Sequence, residues 1–311
     1  MQKISIIIPM FNEAEHIQRT IKSAQLAAKA ANLGCQIITV DNNSSDNSAV
    51  LAEELGATVI VKPDVKIGAL RNAGAALANG DYLAFLDADI EVPPNWLTAC
   101  LAQQHRRFDV IALDCDTPAP APWFARAWQK RSMSKSGSDR VLDWLATPNL
   151  FLTRQRFESS TGFNPLLSSG EDKEFGLRLH QQGAQQVSLA QPLALHWGYE
   201  KTWSEWLKKE FWRQNSHLQL FSKKPSLRLL RFPLLCVATT LFTAAFVFTC
   251  LNGFSTSSLV LLLLSVLPAL VLAVRQSNFL SDSSYTLKLC LLHWLRLHIG
   301  CAALLHSALK N

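Results

Sequence analysis

Two carboxylates, Asp87 and Asp89, close the apolar run Tyr82-Leu83-Ala84-Phe85-Leu86. In an extended segment residues two apart share a face, so both can reach one site at a strand end. Oxygen ligands so arranged suit Mg²⁺ or Mn²⁺, which also take phosphate oxygens. A polar turn after a buried strand uses the same residues. A second acidic pair, Glu171-Asp172, follows Gly170. Adjacent acids at a helix start are a common capping arrangement, stabilised by the helix dipole. His196, after the short apolar stretch Leu193-Ala194-Leu195, reads by itself as a satisfied polar residue.

These groups need a frame. Strand-like runs at 4–8, 36–40, 58–61 and 82–86 alternate with helical patterns near 14–32, 47–55 and 67–78. That alternation predicts right-handed βαβ units and a mainly parallel sheet. Ligands of such sheets gather at the carboxyl ends of strands. Asn12-Glu13, Asp41 to Asp46, and Asp87 with Asp89 all fall at those ends.

Composition divides the 311-residue chain. No charged side chain occurs from Phe232 to Val274. Two membrane-spanning helices are expected there, about 232–251 and 258–274, although a buried hairpin has the same composition. The net charge of +6 is local: Lys201, Lys208, Lys209, Arg213, Lys223, Lys224, Arg228 and Arg231 face only Glu205 and Glu210. Basic residues beside a span mark its cytoplasmic side, and a cluster abutting a membrane segment argues against nucleic acid as partner. Trp203, Trp206, Leu207 and Phe211 keep helical spacing there, as in an interfacial amphipathic helix or a helix packed on a domain. The segment 285–309 is apolar but carries Lys288, His293, Arg296, His298 and His306. A third span, a re-entrant segment and an interfacial helix all remain open for it. No signal peptide is expected, because residues 3–9 already read as a strand. A multi-pass protein of the inner membrane follows, with its N-terminal domain cytoplasmic. The seven cysteines form no C-x-x-C pair and read as reduced apolar residues.

The motifs then become specific. Ser5-Ile6-Ile7-Ile8-Pro9-Met10-Phe11-Asn12-Glu13, Val40-Asp41-Asn42-Asn43-Ser44-Ser45-Asp46, Gly68-Ala69-Leu70-Arg71-Asn72-Ala73-Gly74 and Asp87-Ala88-Asp89 occur in that order. Together they resemble the family 2 glycosyltransferases, enzymes of the GT-A fold. Asn149 to Leu152, Gly162-Phe163 and Gly170 to Glu174 resemble that family's acceptor side. The resemblance covers residues 3 to 200 and implies a GT-A (nucleotide-diphospho-sugar transferase) α/β fold followed by C-terminal transmembrane helices. It also implies three parts: a catalytic domain over 1–200, an interfacial region over 201–231 and a membrane domain over 232–311.

Roles carried over by the resemblance are expectations. Pro9 and Phe11 would line the nucleotide site, with the Phe11 ring against the base. Glu13 and Asp41 would hydrogen-bond ribose and base, and Arg71 would meet base or diphosphate. Asp87 would lie near ribose and metal, Asp89 would be the more direct metal ligand, and His196 a further one. Asp172 would be the catalytic base, with Glu171 orienting it or touching the acceptor. The implied cofactor is Mg²⁺ or Mn²⁺, the donor a nucleotide sugar, and the acceptor lipid-linked or membrane-proximal. A polyprenyl-phosphate sugar synthase and an inactive nucleotide-sugar-binding scaffold are the alternatives. Arg178 is expected to pair at helical spacing within the Glu171–Asp172 helix. The Q-x-x-R-W signature of processive synthases is absent, with Phe211 to Asn215 only a loose echo. Residues 116–122 and 130–140 match no motif and read as a loop, either a plain surface loop or a lid.

Overall fold

The computed structural model describes residues 2–223, 227–277 and 282–310. The chain forms two compact units, Met1–Ala119 with Ser136–Tyr199, and Pro120–Lys135 with Glu200–Asn311.

In the first unit the chain runs β1 (Lys3–Met10), α1 (Ile17–Ala30), β2 (Gly34–Asp41), α2 (Ser48–Glu54), β3 (Thr58–Val61), α3 (Ile67–Ala76) and β4 (Tyr82–Leu86). Next come β5 (Ile90–Glu91), α4 (Trp96–His105) and β6 (Val110–Asp116). After α5 (Trp123–Lys130), which belongs to the second unit, follow β7 (Arg140–Val141), β8 (Asn149–Thr153), α6 (Arg154–Ser159), α7 (Glu171–Gln181) and β9 (Gln186–His196). The sheet order is β3-β2-β1-β4-β8-β6-β9-β5, with β7 beside β9.

The strands β3, β2, β1 and β4 are parallel, as the alternation predicts. β1 is buried along all but its first residue, as a central strand covered on both faces must be. The chain leaves β1 toward β2 and later returns to its other side with β4. That reversal opens a crevice at the carboxyl ends of β1 and β4. Pro9 fits in β1 because the β1–β4 ladder has already ended at Ile7↔Phe85. No partner strand there needs the N–H that proline lacks.

β8 is antiparallel to both β4 and β6. Its pairing with β6 spans only Val110↔Leu152 and Ile111↔Phe151. Beyond that, the buried Asn149 amide replaces the ladder. It accepts from Leu113 N at 2.6 Å and donates to Leu113 O at 3.1 Å. An apolar side chain could do neither, which explains a polar residue in a strand core.

The second unit holds α5, α8 (Trp203–Lys223), α9 (Leu227–Leu251), α10 (Thr256–Gln276) and α11 (Ser283–Lys310). Three helices are long and apolar enough to cross a membrane, over Leu230–Leu251, Thr256–Gln276 and Ser283–Ser307. Their mean hydropathies are 2.2, 2.6 and 1.3. Leu234, Leu241, Phe248 and Leu263 point outward, which suits lipid rather than water as surroundings. Ser255 and Ser258 form a capping box at the start of α10. Two polar residues of α11 are answered inside the helix group: His293 Nε2 lies 3.0 Å from Gln276 Oε1, and Arg296 Nε donates to Glu210.

The stretch between the Pro-rich and Ser/Lys-rich segments is the helix α5. Its Phe124 stacks on Trp203 at 4.4 Å between centroids, and Trp128 meets Trp206 edge-on at 5.4 Å. Trp206 is fully buried, so the apolar stripe of α8 packs against protein at that position. Of the basic run, Lys224 lies outside the described residues, as do the side chains of Lys223 and Arg228.

Candidate active site

The loop after β1 is held from below by the loop after β2. Asn12 N donates to Ser44 Oγ (2.8 Å), Glu13 N to Ser48 Oγ (2.7 Å) and Ala14 N to Asp46 Oδ2 (3.0 Å). Ser45 N returns a bond to Asn12 Oδ1 at 2.8 Å. Asn12 takes a φ of 55°, a left-handed conformation asparagine tolerates. The serines and Asp46 therefore build the crevice wall, a role that sequence reading left unassigned. A polar cluster after a strand end was the only signal for it. Asp41 is buried, and its carboxylate accepts from Ser44 N at 3.2 and 3.1 Å and from Ser44 Oγ at 2.5 Å. Phe11 stands at the rim with its ring 56% exposed.

Glu13 points toward the other carboxylates. Burial, followed by the charges of Asp89, Asp87 and Asp46, pushes its pKa up to about 7.

Arg71 ties two halves of the site together. Its Nη2 donates to Asp87 Oδ1 at 2.8 Å and its Nη1 to Glu171 Oε1 at 2.7 Å. The residue is only 1% exposed. The planar fork of arginine suits two carboxylates at once. Glycines let α3 bring it there. A Cβ on Gly74 would strike Ile7, and one on Gly68 would come within 2.9 Å of Asn164 O. Asn72 fastens the same junction through paired bonds with Phe163, at 2.7 and 2.9 Å. Phe85, Phe163 and Phe175 line this region, with the Arg71 guanidinium carbon 5.4 Å from the Phe163 ring.

The helix α7 begins at Gly170, whose φ of 74° would strain any residue with a Cβ. Glu171 and Asp172 occupy its first turn. Burial and the adjacent Glu171 charge raise the Asp172 pKa to about 6. The expected helical pairing of Arg178 is made with Glu174, at 2.8 Å. Arg178 also donates to the Ser160 and Gly162 carbonyls, locking the preceding loop.

On the far side, β5 pairs antiparallel with the end of β9, with Ile90 opposite His196. This pairing places His196 Nε2 3.1 Å from Asp89 Oδ2. Trp197 N donates to Asp89 O at 2.8 Å, and the Trp197 indole donates to Glu91 at 2.7 Å. Arg19 covers the Trp197 ring at 3.7 Å. Gly198 lies so close that a Cβ would collide with the Asp89 carboxylate. Among the described residues, no three His, Cys, Asp or Glu side chains are assembled as a metal cage. Asp89 and His196 bring one oxygen and one nitrogen donor together and could contribute to holding a divalent ion.

Asp87, Arg71 and Glu171 thus form one contiguous chain, and Asp89 and His196 another. Phe11 and Asp41 contribute to the wall without joining either.

Residues 5–161 match the family model described as Glycosyl transferase family 2. The match includes the residues around Asp87 and Asp89 and stops before α7 and His196. A relative from Pseudomonas fluorescens (strain Pf0-1), an undecaprenyl-phosphate 4-deoxy-4-formamido-L-arabinose transferase, is 33% identical over 116 residues. That alignment covers 35% of this chain and 34% of the relative. A protein of the same description from Salmonella choleraesuis (strain SC-B67) is 28% identical over 118 residues, covering 36% of each. The chain therefore spans about a third of the length of these curated relatives. In fold it is similar to a crystal structure of S. aureus TarS in complex with UDP-GlcNAc. The TM-score is 0.51 at 15% identity, covering 78% of this chain and 81% of that one.

Proposed function

Because this chain belongs to glycosyl transferase family 2, we propose that it moves a sugar from a nucleoside diphosphate to an acceptor hydroxyl, with inversion. The acceptor is a lipid-linked glycan at the cytoplasmic face of the membrane. The single observation that carries this reading is the Arg71 bridge. It joins Asp87, at the end of β4, to Glu171, the residue next to Asp172.

Phe11 and Glu13 receive the nucleoside, while Asp89 and His196 would hold a Mg²⁺ or Mn²⁺ ion at the diphosphate. When bound, that ion supplies positive charge against the negative charge that builds on the leaving group. The Asp172 carboxylate takes the proton of the acceptor hydroxyl. The freed oxygen forms a bond to the anomeric carbon as the bond from that carbon to the diphosphate breaks, and the diphosphate departs with the electron pair. A base with a pKa of about 6 is ionised at neutral pH yet still basic enough to assist.

Turnover of nucleotide sugars by the purified full chain, with divalent metal and glycolipid acceptors, tests this. Asp172→Asn is expected to lower kcat by roughly 10²–10⁴-fold while donor binding persists. Full activity in that variant would sink the base assignment. The relatives named as undecaprenyl-phosphate transferases favour a second reading, in which the acceptor is a lipid phosphate already ionised and needing no base. Normal turnover of Asp172→Asn with a polyprenyl phosphate would select that reading.

A further inference from the structure

In the second unit Arg213 and Arg296 share the buried Glu210, and Arg296 and Arg131 both approach the Trp128 ring. Arg296 Nε donates to Glu210 Oε1 at 3.0 Å, and Arg213 Nη1 to Glu210 Oε2 at 3.2 Å. Glu200 takes a further contact from Arg213 at 3.4 Å and one from Lys209 at 3.3 Å. Arg131 has no carboxylate partner among the described residues. Its Nη1 donates to the Trp128 carbonyl at 2.7 Å, and its guanidinium lies 4.0 Å from the Trp128 ring centroid. Arg213 and Arg296 thus share Glu210, and half-buried Arg131 adds a positive charge that no carboxylate meets among the described residues. Burial, then the charges of Arg296 and Arg213, push the Arg131 pKa down to about 9. An uncompensated, partly desolvated charge of this kind gains most from a bound anion.

The depth of the cluster indicates which anion. The Arg296 guanidinium carbon lies 4.6 Å from the ring of Phe232, near the start of the span Leu230–Leu251. One turn earlier on α11, His293 meets Gln276, the last residue of α10. Trp128, Trp203 and Trp206 cluster beside it. Arg296 lies midway along α11, but Phe232 and Gln276 stand near the ends of α9 and α10, the level at which tryptophans and arginines mark the headgroup layer of a bilayer. Below Phe232, Leu234 and Leu241 leave an exposed apolar face on α9, along which acyl chains can lie.

We propose that Arg131, Arg213 and Arg296 form a headgroup site for the phosphate of an anionic membrane lipid. Guanidinium forks match phosphate oxygens in pairs, so three of them can enclose one headgroup. The site is contained in the second unit and does not depend on the sugar-transfer reading.

The test uses the full chain in detergent, stripped of lipid, with its unfolding temperature followed during titration. Phosphatidylglycerol, phosphatidylcholine and inorganic phosphate are the three probes. Phosphatidylglycerol is expected to stabilise the protein where the other two do not. Arg131→Gln should weaken its midpoint about tenfold, the worth of one charged hydrogen-bond set. Arg131→Lys keeps the charge without the fork and should fall between. Lys130→Gln, its exposed neighbour, should leave the midpoint unchanged. Wild-type affinity for phosphatidylglycerol in Arg131→Gln overturns the proposal, as does equal stabilisation by inorganic phosphate alone. If Arg131→Gln does not fold, an unchanged midpoint in Arg131→Lys overturns it as well.

Discussion

The two units treat buried arginine in opposite ways. In the first, Arg71 is enclosed and answered by two carboxylates, one at each end of its guanidinium. In the second, Arg213 and Arg296 share Glu210, and Arg131 meets no carboxylate among the described residues. A closed network is a structural tie: it holds its elements in register and asks nothing of a ligand. An open one carries an unmet charge and is completed by something bound. Within the first unit, burial and the charges of Asp89, Asp87 and Asp46 raise the Glu13 pKa to about 7.

Breaking the closed tie should have the largest effect. Arg71→Met strands Asp87 and Glu171 as unpaired carboxylates and is expected to cost about 3–5 kcal/mol in chemical unfolding. Next comes Glu210→Gln, which removes the carboxylate shared by Arg213 and Arg296. A loss of roughly 2–3 kcal/mol is expected in neutral detergent, shrinking when phosphatidylglycerol is added. Equal losses with and without anionic lipid would erase the contrast between the two networks.

Gly198→Ala forces a methyl against the Asp89 carboxylate. A cost of about 1–3 kcal/mol is expected, read as weaker metal-dependent binding of a nucleotide sugar by calorimetry. The pH profile is subtler. Below about 6 the Asp172 carboxyl holds its proton, so kcat/KM should fall roughly tenfold per pH unit there. Stability runs the other way. The folded pKa lies above the ordinary 3.8, so the native state binds this proton more readily than the unfolded chain. Ionisation therefore costs stability as pH rises from 3.8 through about 6. Asp172→Asn should accordingly melt higher than wild type at neutral pH while losing turnover. The smallest effect belongs to Lys130→Gln, whose partner Asp282 is exposed. Less than about 1 kcal/mol is expected in thermal unfolding.

Much of this could be read along the chain because it is local. The alternation of strands and helices set the parallel half of the sheet, since periodicity follows from which faces are buried. Strand ends carried Glu13, Asp41, Asp87 and Asp89, and the charge-free stretch marked two apolar helices. Less of α5 was legible. Its aromatic residues find their partners on α8, about 80 residues later, so no local period announces the contact. Likewise the polar residues of α11 show no single stripe: His293 finds its partner on α10 and Arg296 on α8.

The sequence by itself determined the parts of the site: two acids at a strand end, a glycine-framed helix carrying Arg71, and an acidic pair after Gly170. Residue type and near-neighbour spacing are local properties, and those suffice for parts. Only the tertiary structure decided which parts meet. Arg71 and Glu171 are joined, as are Asp89 and His196, across long stretches of chain, because sheet order and helix packing bring them together. Charge compensation is likewise a property of that assembly. Arg71 and Arg131 are the same residue type in the sequence; the carboxylates folded against each make one a tie and the other an opening.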